Sequence, residues 1–228
     1  MRFFTHTVMR GNWLTQKIDP SAAGVAAFFT LSLFLGSILF WSGAWHAEEW
    51  MAASRSDVFG HHQWWRAWTT LFVHADPRHL ISNSLLFFIL GSFVFGYFGW
   101  LAFPALAFIA GGITNLIVLN GMSETVQLIG ASGIVFWLGG FWLVLYFFID
   151  RRKSIGQRAL RATGVGIALF MPAEAFDPGI SYLCHLVGFI SGIAFGFGFF
   201  LVNRKKILRA DVLETVFEVD DEPEPAEY

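Results

Sequence analysis

The chain has 228 residues, of which 55% are apolar and 14% charged, and it carries 27 Phe, 10 Trp and 4 Tyr. Ordinary soluble domains are roughly 25% charged, so this composition points to a bilayer as solvent and excludes a disordered chain, a collagen-like repeat and a cytosolic enzyme. A net charge of −2, with no soluble segment in which Lys and Arg interleave with aromatics, carries no nucleic-acid signal, and the single Cys184 excludes an internal disulfide.

Residues 1–20 form a polar N-terminal segment, expected to be cytoplasmic. Apolar runs follow at 21–45, 79–99, 100–120, 125–149, 162–176 and 180–203, charge-free except for Glu174 near the end of the fifth. A helix of about 20 residues spans roughly 30 Å of hydrocarbon, and these runs are too continuous for the alternating strands of a barrel. The expected fold is therefore all-α, a polytopic membrane protein of six transmembrane helices over 21–203. The first run does not read as a cleavable leader, because Trp45-His46-Ala47 stands where small residues are needed.

Of the 15 basic residues, 12 fall in 1–19, 150–161 and 203–209, whereas Arg55, Arg66 and Arg78 lie on the other side. The positive-inside rule then puts both termini in the cytoplasm, and an even number of spans agrees. The connection 46–78 carries Trp50, Trp64, Trp65 and Trp68 among charges, and reads either as an aromatic anchor in the interface or as part of an external site. Residues 204–228 begin basic and turn acidic, with eight acids and no base from Ala210 onward, and disorder is the expectation there.

A polar side chain in lipid is expensive, so Asn83, Asn115, Ser132, His185 and the pair His74/His79 stand out. No Asp or Glu lies in a central stretch, which counts against proton-coupled transport and a membrane metal centre. In Gly130-Ala131-Ser132-Gly133, a serine between small residues is commonly helix packing. Here, however, turn-prone Asn120–Glu124 precedes it, so Ser132 falls in the first turn of an inward-running helix, where free N–H groups gather. Ser132 stands 19 residues before Arg151 and His185 stands 19 before Arg204. At about 1.5 Å per residue both sit about 28 Å above the inner anchors. Gly188, Gly192 and Gly196 below His185 make a face that admits a close neighbour, with Gly139-Gly140 as its counterpart. A neutral imidazole there can act as general base toward the serine, without a carboxylate to orient it; a ring held by a backbone carbonyl is the alternative. His79 and Asn83, at i and i+4, share one face of the second span and suit an oxyanion hole, while metal ligation by His74 and His79 is off helical phase.

Together these residues resemble the rhomboid intramembrane serine proteases over about 21–203. Gly130-Ala131-Ser132-Gly133 matches that family's Gly-x-Ser-Gly motif, and His185 with Gly188 and Gly192 matches its sixth-span histidine–glycine motif. His74, His79 and Asn83 match the second-span pattern, and Trp65-Arg66 matches its loop pair. The resemblance implies a minimal six-span enzyme with a Ser132 nucleophile and a His185 base. Its oxyanion hole would be formed by the Ser132 N–H, His79 and Asn83, with His74 structural. Phe136 replaces a common tyrosine, keeping a ring to stack on His185 but losing a hydroxyl, and Cys184 replaces a common alanine. No cofactor or metal is implied. Substrates would be single-span membrane proteins cut near the external face of a bacterial inner membrane, with membrane lipid as surroundings and 46–78 or Pro172–Gly179 gating access. The alternatives are a non-cleaving binder of transmembrane helices and a sortase-like branch that processes C-terminal tails.

Overall fold

The computed structural model describes residues 2–170 and 181–220. Its six long helices are α1 (Ala22–Ser42), α2 (Pro77–Trp100), α3 (Ala107–Asn120), α4 (Ser132–Ile149), α5 (Ile155–Phe170) and α6 (Tyr182–Leu208). Among the described residues, four stretches are long and apolar enough to cross a membrane, namely 22–42, 77–120, 132–149 and 182–208. The second of these holds two crossings. As one straight rod its 44 residues would run about 66 Å, over twice the roughly 30 Å of hydrocarbon. The break comes at Gly99, whose φ of 74° is left-handed, and at Phe103, whose extended backbone interrupts the irregular turn Leu101–Leu106. The reversal is fixed at both ends. Gly96 lies against Ile18 and Ala22 beside the start of α1, whereas the segment after Asn120 returns to the loop that precedes Pro77, pairing Leu128 with Ala53.

α5 differs from the expected span over 162–176. It begins seven residues earlier, at Ile155, and takes in Arg158 and Arg161. Arg158 reaches back to the Phe147 carbonyl and lies 5.1 Å over the Phe147 ring, so its charge stays at the helix end while its stem covers apolar surface. The rest of that expected span, and the Pro172–Gly179 loop, lie outside the described residues.

α4 is the centre of the bundle. Of its apolar window 61% is buried, against 22–33% for the other three stretches. Trp137, Leu138, Phe141 and Leu145 of α4 are buried in the main core with Leu33, Phe87 and Phe103. The outer helices carry bare apolar rows at helical spacing, such as Phe28, Leu31, Leu35 and Ile38 on α1 and Ile81, Leu85 and Ile89 on α2. Rows of this extent on a helix surface suit hydrocarbon rather than water. The chain is an integral membrane protein.

The expected disorder of 204–228 does not hold over its first part. Residues 204–208 continue α6, and β2 (Val212–Asp220) pairs antiparallel with β1 (Arg2–Gly11), the two ends of the chain closing one small sheet. The β-branched and aromatic positions Val212, Thr215, Val216 and Phe217 favour a strand, and Arg10 pairs with Glu214 across it, so the acids that suggest disorder find a basic partner in the N-terminal segment. Residues 221–228 lie outside the described residues. Below the sheet, the buried Asn12 donates to Asp150 at 2.9 Å, joining the N-terminal segment to the end of α4.

Candidate active site

The helix that carries Ser132 begins abruptly. Gly130 takes φ of 116°, a conformation costly for any other residue, and its N–H donates to the Thr70 carbonyl at 3.1 Å. Leu128 is held by Ala53 and by the Thr70 hydroxyl. The loop 53–70 therefore suspends the strand-like lead into α4. No side chain caps this helix at Ala131. Instead, the Ala131 N–H donates to His74 Nε2 at 3.3 Å, and His74 Nδ1 lies 3.1 Å from Ser37 Oγ. Since Nε2 accepts, the neutral ring carries its proton on Nδ1 and donates to Ser37, whose hydroxyl donates onward to the Phe72 carbonyl. His74 is fully buried, and burial, with His79 nearby, holds its pKa down to about 3 against a weaker pull from Asp76. With both ring nitrogens engaged, His74 has no lone pair free for a metal.

α4 and α6 touch backbone to backbone. A Cβ on Gly188 would lie 2.3 Å from the Gly133 carbonyl oxygen, and one on Gly192 2.2 Å from that of Trp137, while Gly196 faces Phe141. Each pair is offset by the same number of residues, so the helices run parallel. In that register His185 sits two residues, about 3 Å, nearer the loop face than Ser132, close to the equal height that residue counting gives. The His185 ring stacks on Phe136, with centroids 4.0 Å apart and planes 11° from parallel. Phe136 lies one turn below Ser132 on the same face of α4, so serine and imidazole share one interface. The two are not hydrogen-bonded, and neither side chain has a hydrogen-bond partner among the described residues.

A cavity of about 310 Å³ opens beside Ser132, lined also by His79, Gln127, Gly130, Ser181 and Cys184. His79 is set by its own helix start: Asp76 caps α2 by accepting the His79 N–H at 2.9 Å, with Pro77 at the first helical position. Its ring meets that of His74 edge to face at 5.3 Å and lies against Gly130. Asn83 is buried and donates one amide N–H to the His79 carbonyl at 3.1 Å; it does not line the cavity. The Ser132 N–H, first in its helix, finds no acceptor among the described residues.

The loop pair behaves as two separate residues. Trp65 is exposed, whereas Arg66 is buried and donates to the Ala52 carbonyl at 2.9 Å and to Gln63. Its role is to tie the loop to itself. Trp68 wedges its indole against Gly112 of α3, so one member of the aromatic set is packing rather than an interface anchor. Sequence reasoning missed Ser37, Thr70 and Ser181, hydroxyls that carry no pattern of their own. Asn115 was legible as a costly polar group, and its task is visible here: it donates to the Ala67 carbonyl at 2.8 Å and lies 3.7 Å from Cys184 Sγ.

Residues 61–202 match the family model of the Rhomboid domain, which is more than half of the chain. Among curated proteins, the putative rhomboid protease YdcA of Bacillus subtilis is 29% identical over 63% of this chain and 70% of its own length. Rhomboid-related protein 2 of Mus musculus is 27% identical over 64% of this chain and 51% of its own, and rhomboid-type serine protease 2 of Emericella nidulans is 24% identical over 59% and 26%. The chain thus spans about half or less of the latter two relatives. With a bundle of membrane-crossing helices and a domain match of that extent, the chain belongs to the rhomboid family.

Proposed function

We propose that this protein is an intramembrane serine endopeptidase that cuts transmembrane proteins near the face opposite its termini. By the positive-inside rule that face is external. The observation that carries the reading is the contact of Gly133 with Gly188 beside the His185–Phe136 stack, which puts an alcohol and an imidazole on one helix interface, Ser132 lining one cavity and His185 another.

In the proposed reaction His185 takes the Ser132 hydroxyl proton as the oxygen attacks a peptide carbonyl. The Ser132 N–H and His79 hold the negative oxygen of the tetrahedral intermediate; Asn83, outside the cavity and bonded to the His79 carbonyl, joins them only if its amide turns toward it. The C–N bond then breaks, the proton passes from His185 to the departing amine, and water repeats the sequence on the acyl-serine. Hydrogen bonds between catalytic groups often form only with substrate bound, which accommodates the unbonded pair. A carbonyl bonded inside a helix is shielded from attack, so substrates with glycine, proline or small residues near the cut are favoured.

A non-cleaving binder is the rival reading, and the absence of a Ser132–His185 hydrogen bond favours it. A fluorophosphonate probe on detergent-solubilised protein separates the two. The parent is expected to label, Ser132→Ala not at all, and His185→Ala at least 100-fold more slowly. No labelling of a well-folded parent supports the binder, and equal labelling of all three places the chemistry elsewhere.

A further inference from the structure

Where α4, α5 and α6 end near the termini they enclose a cavity of about 390 Å³ with Arg151, Arg158 and Arg204 at its rim and Phe147, Phe197 and Phe200 in its floor. The three arginines are not equivalent. Arg151 is neutralised by Asp211. Arg204 has no acidic partner among the described residues. Arg158 uses one guanidinium N–H on the Phe147 carbonyl and, like Arg204, has no acidic partner among the described residues; its Nε is buried without an acceptor among them. Two guanidinium groups on one cavity with no acidic partner among the described residues call for a divided negative charge, and arginine's planar fork suits phosphate oxygens.

The floor supplies the other half of the ligand. Phe147 is shared with a second cavity of about 690 Å³, almost wholly apolar, which runs between the same three helices up to Phe136 and His185. From Phe147 to Phe136 is about 16 Å along α4. At its mouth Ile167 and Leu186 are exposed on the apolar outer surface, so the channel opens where hydrocarbon chains lie. Free phosphate would satisfy the rim and leave the channel empty, whereas a zwitterionic lipid would fill the channel and bring its own cation to the rim. We propose that one anionic phospholipid occupies this composite cleft, its phosphate between Arg158 and Arg204 and an acyl chain along α4. Basic pockets between transmembrane helices are suited to such headgroups.

Native mass spectrometry of the full chain in detergent tests this, with phosphatidylglycerol, phosphatidylcholine of the same chains, and inorganic phosphate as separate additions. One phosphatidylglycerol is expected to be retained at least ten-fold more than phosphatidylcholine, and phosphate alone not to raise the thermal midpoint. Arg204→Gln, on an exposed side chain that the fold does not need, is expected to lower that retention at least five-fold, as is Arg158→Gln. Lys153→Gln, equally basic but outside the cavity, is expected to leave it unchanged. Equal retention of the two lipids, no loss in Arg204→Gln, or an equal loss in Lys153→Gln overturns the proposal. A shift with phosphate alone as large as with phosphatidylglycerol overturns the lipid as occupant.

Discussion

An alanine at Gly188 puts its Cβ 2.3 Å from the Gly133 carbonyl oxygen and 3.2 Å from the carbonyl carbon. Neither atom is on a side chain that can rotate away. Ordinary contact begins near 3.4 Å, so α4 and α6 must part by about 1 Å at the level of Ser132 and His185. A displacement of that size at reacting groups costs on the order of 100-fold in rate, and overpacking a close contact costs about 1–3 kcal/mol of stability. Gly198, on the same helix, has open space where its Cβ would be. Gly198→Ala is therefore the control for any change in helix propensity or backbone entropy. The assay is the rate of fluorophosphonate labelling at Ser132 and of cleavage of a transmembrane reporter in nanodiscs, both normalised to the folded fraction. Gly188→Ala is expected to fall by about two orders of magnitude in both, with a lower melting midpoint, while Gly198→Ala stays within two-fold of the parent. Equal rates for the two variants would refute the claim that backbone contact sets the serine–imidazole geometry.

Two further perturbations test the supports of the site. His74 is neutral when folded, with its pKa near 3, and near 6.5 when unfolded. Between those values the unfolded chain binds a proton that the folded chain refuses, so stability contributed above pH 6.5 declines toward pH 3 by up to about 1.4 kcal/mol per pH unit. His74→Gln keeps an acceptor for Ala131 but does not titrate; its melting midpoint is expected to fall less steeply over that window, and parallel profiles would contradict the assignment. At the other end of α4, Asn12→Ala removes the donor to Asp150. Burial pushes the Asp150 carboxyl up, but hydrogen bonds from Arg152 and Asn12 outweigh it and hold the pKa below the usual range. Loss of about 1–3 kcal/mol is expected in thermal unfolding, with little change in labelling at Ser132.

The parts of the fold that were legible in the sequence are those set by the bilayer. Long apolar runs carry the helices, because hydrocarbon imposes length and apolarity on every crossing. Equal spacing of Ser132 and His185 from basic anchors carries their common height, since a helix has a fixed rise. The features that were not legible depend on partners far away in the chain. Residues 212–220 look solvated until Arg10 and the rest of β1 lie beside them, and Trp68 looks like an interface anchor until Gly112 provides its slot. Asn83 shows the limit of periodicity: the i, i+4 relation puts it on the His79 face, and that same relation lets its amide turn back onto the His79 carbonyl.

The open N–H of Ser132 lies at the end of the bundle because of where a helix in a membrane can leave a donor unpaired. A free N–H in mid-membrane has only lipid around it and costs several kilocalories per mole, so interior helical turns leave none open. The first turn of α4 is exempt because it begins within the loops, where Thr70, Ala53 and His74 satisfy its neighbours one by one and leave the Ser132 N–H over. His74 is the hinge of this arrangement. By accepting from Ala131 and donating to Ser37 of α1, it locks the start of the serine helix to the far side of the bundle without occupying the cavity. The histidine does the capping in place of a side chain at Ala131, and the Ser132 N–H is left without an acceptor among the described residues.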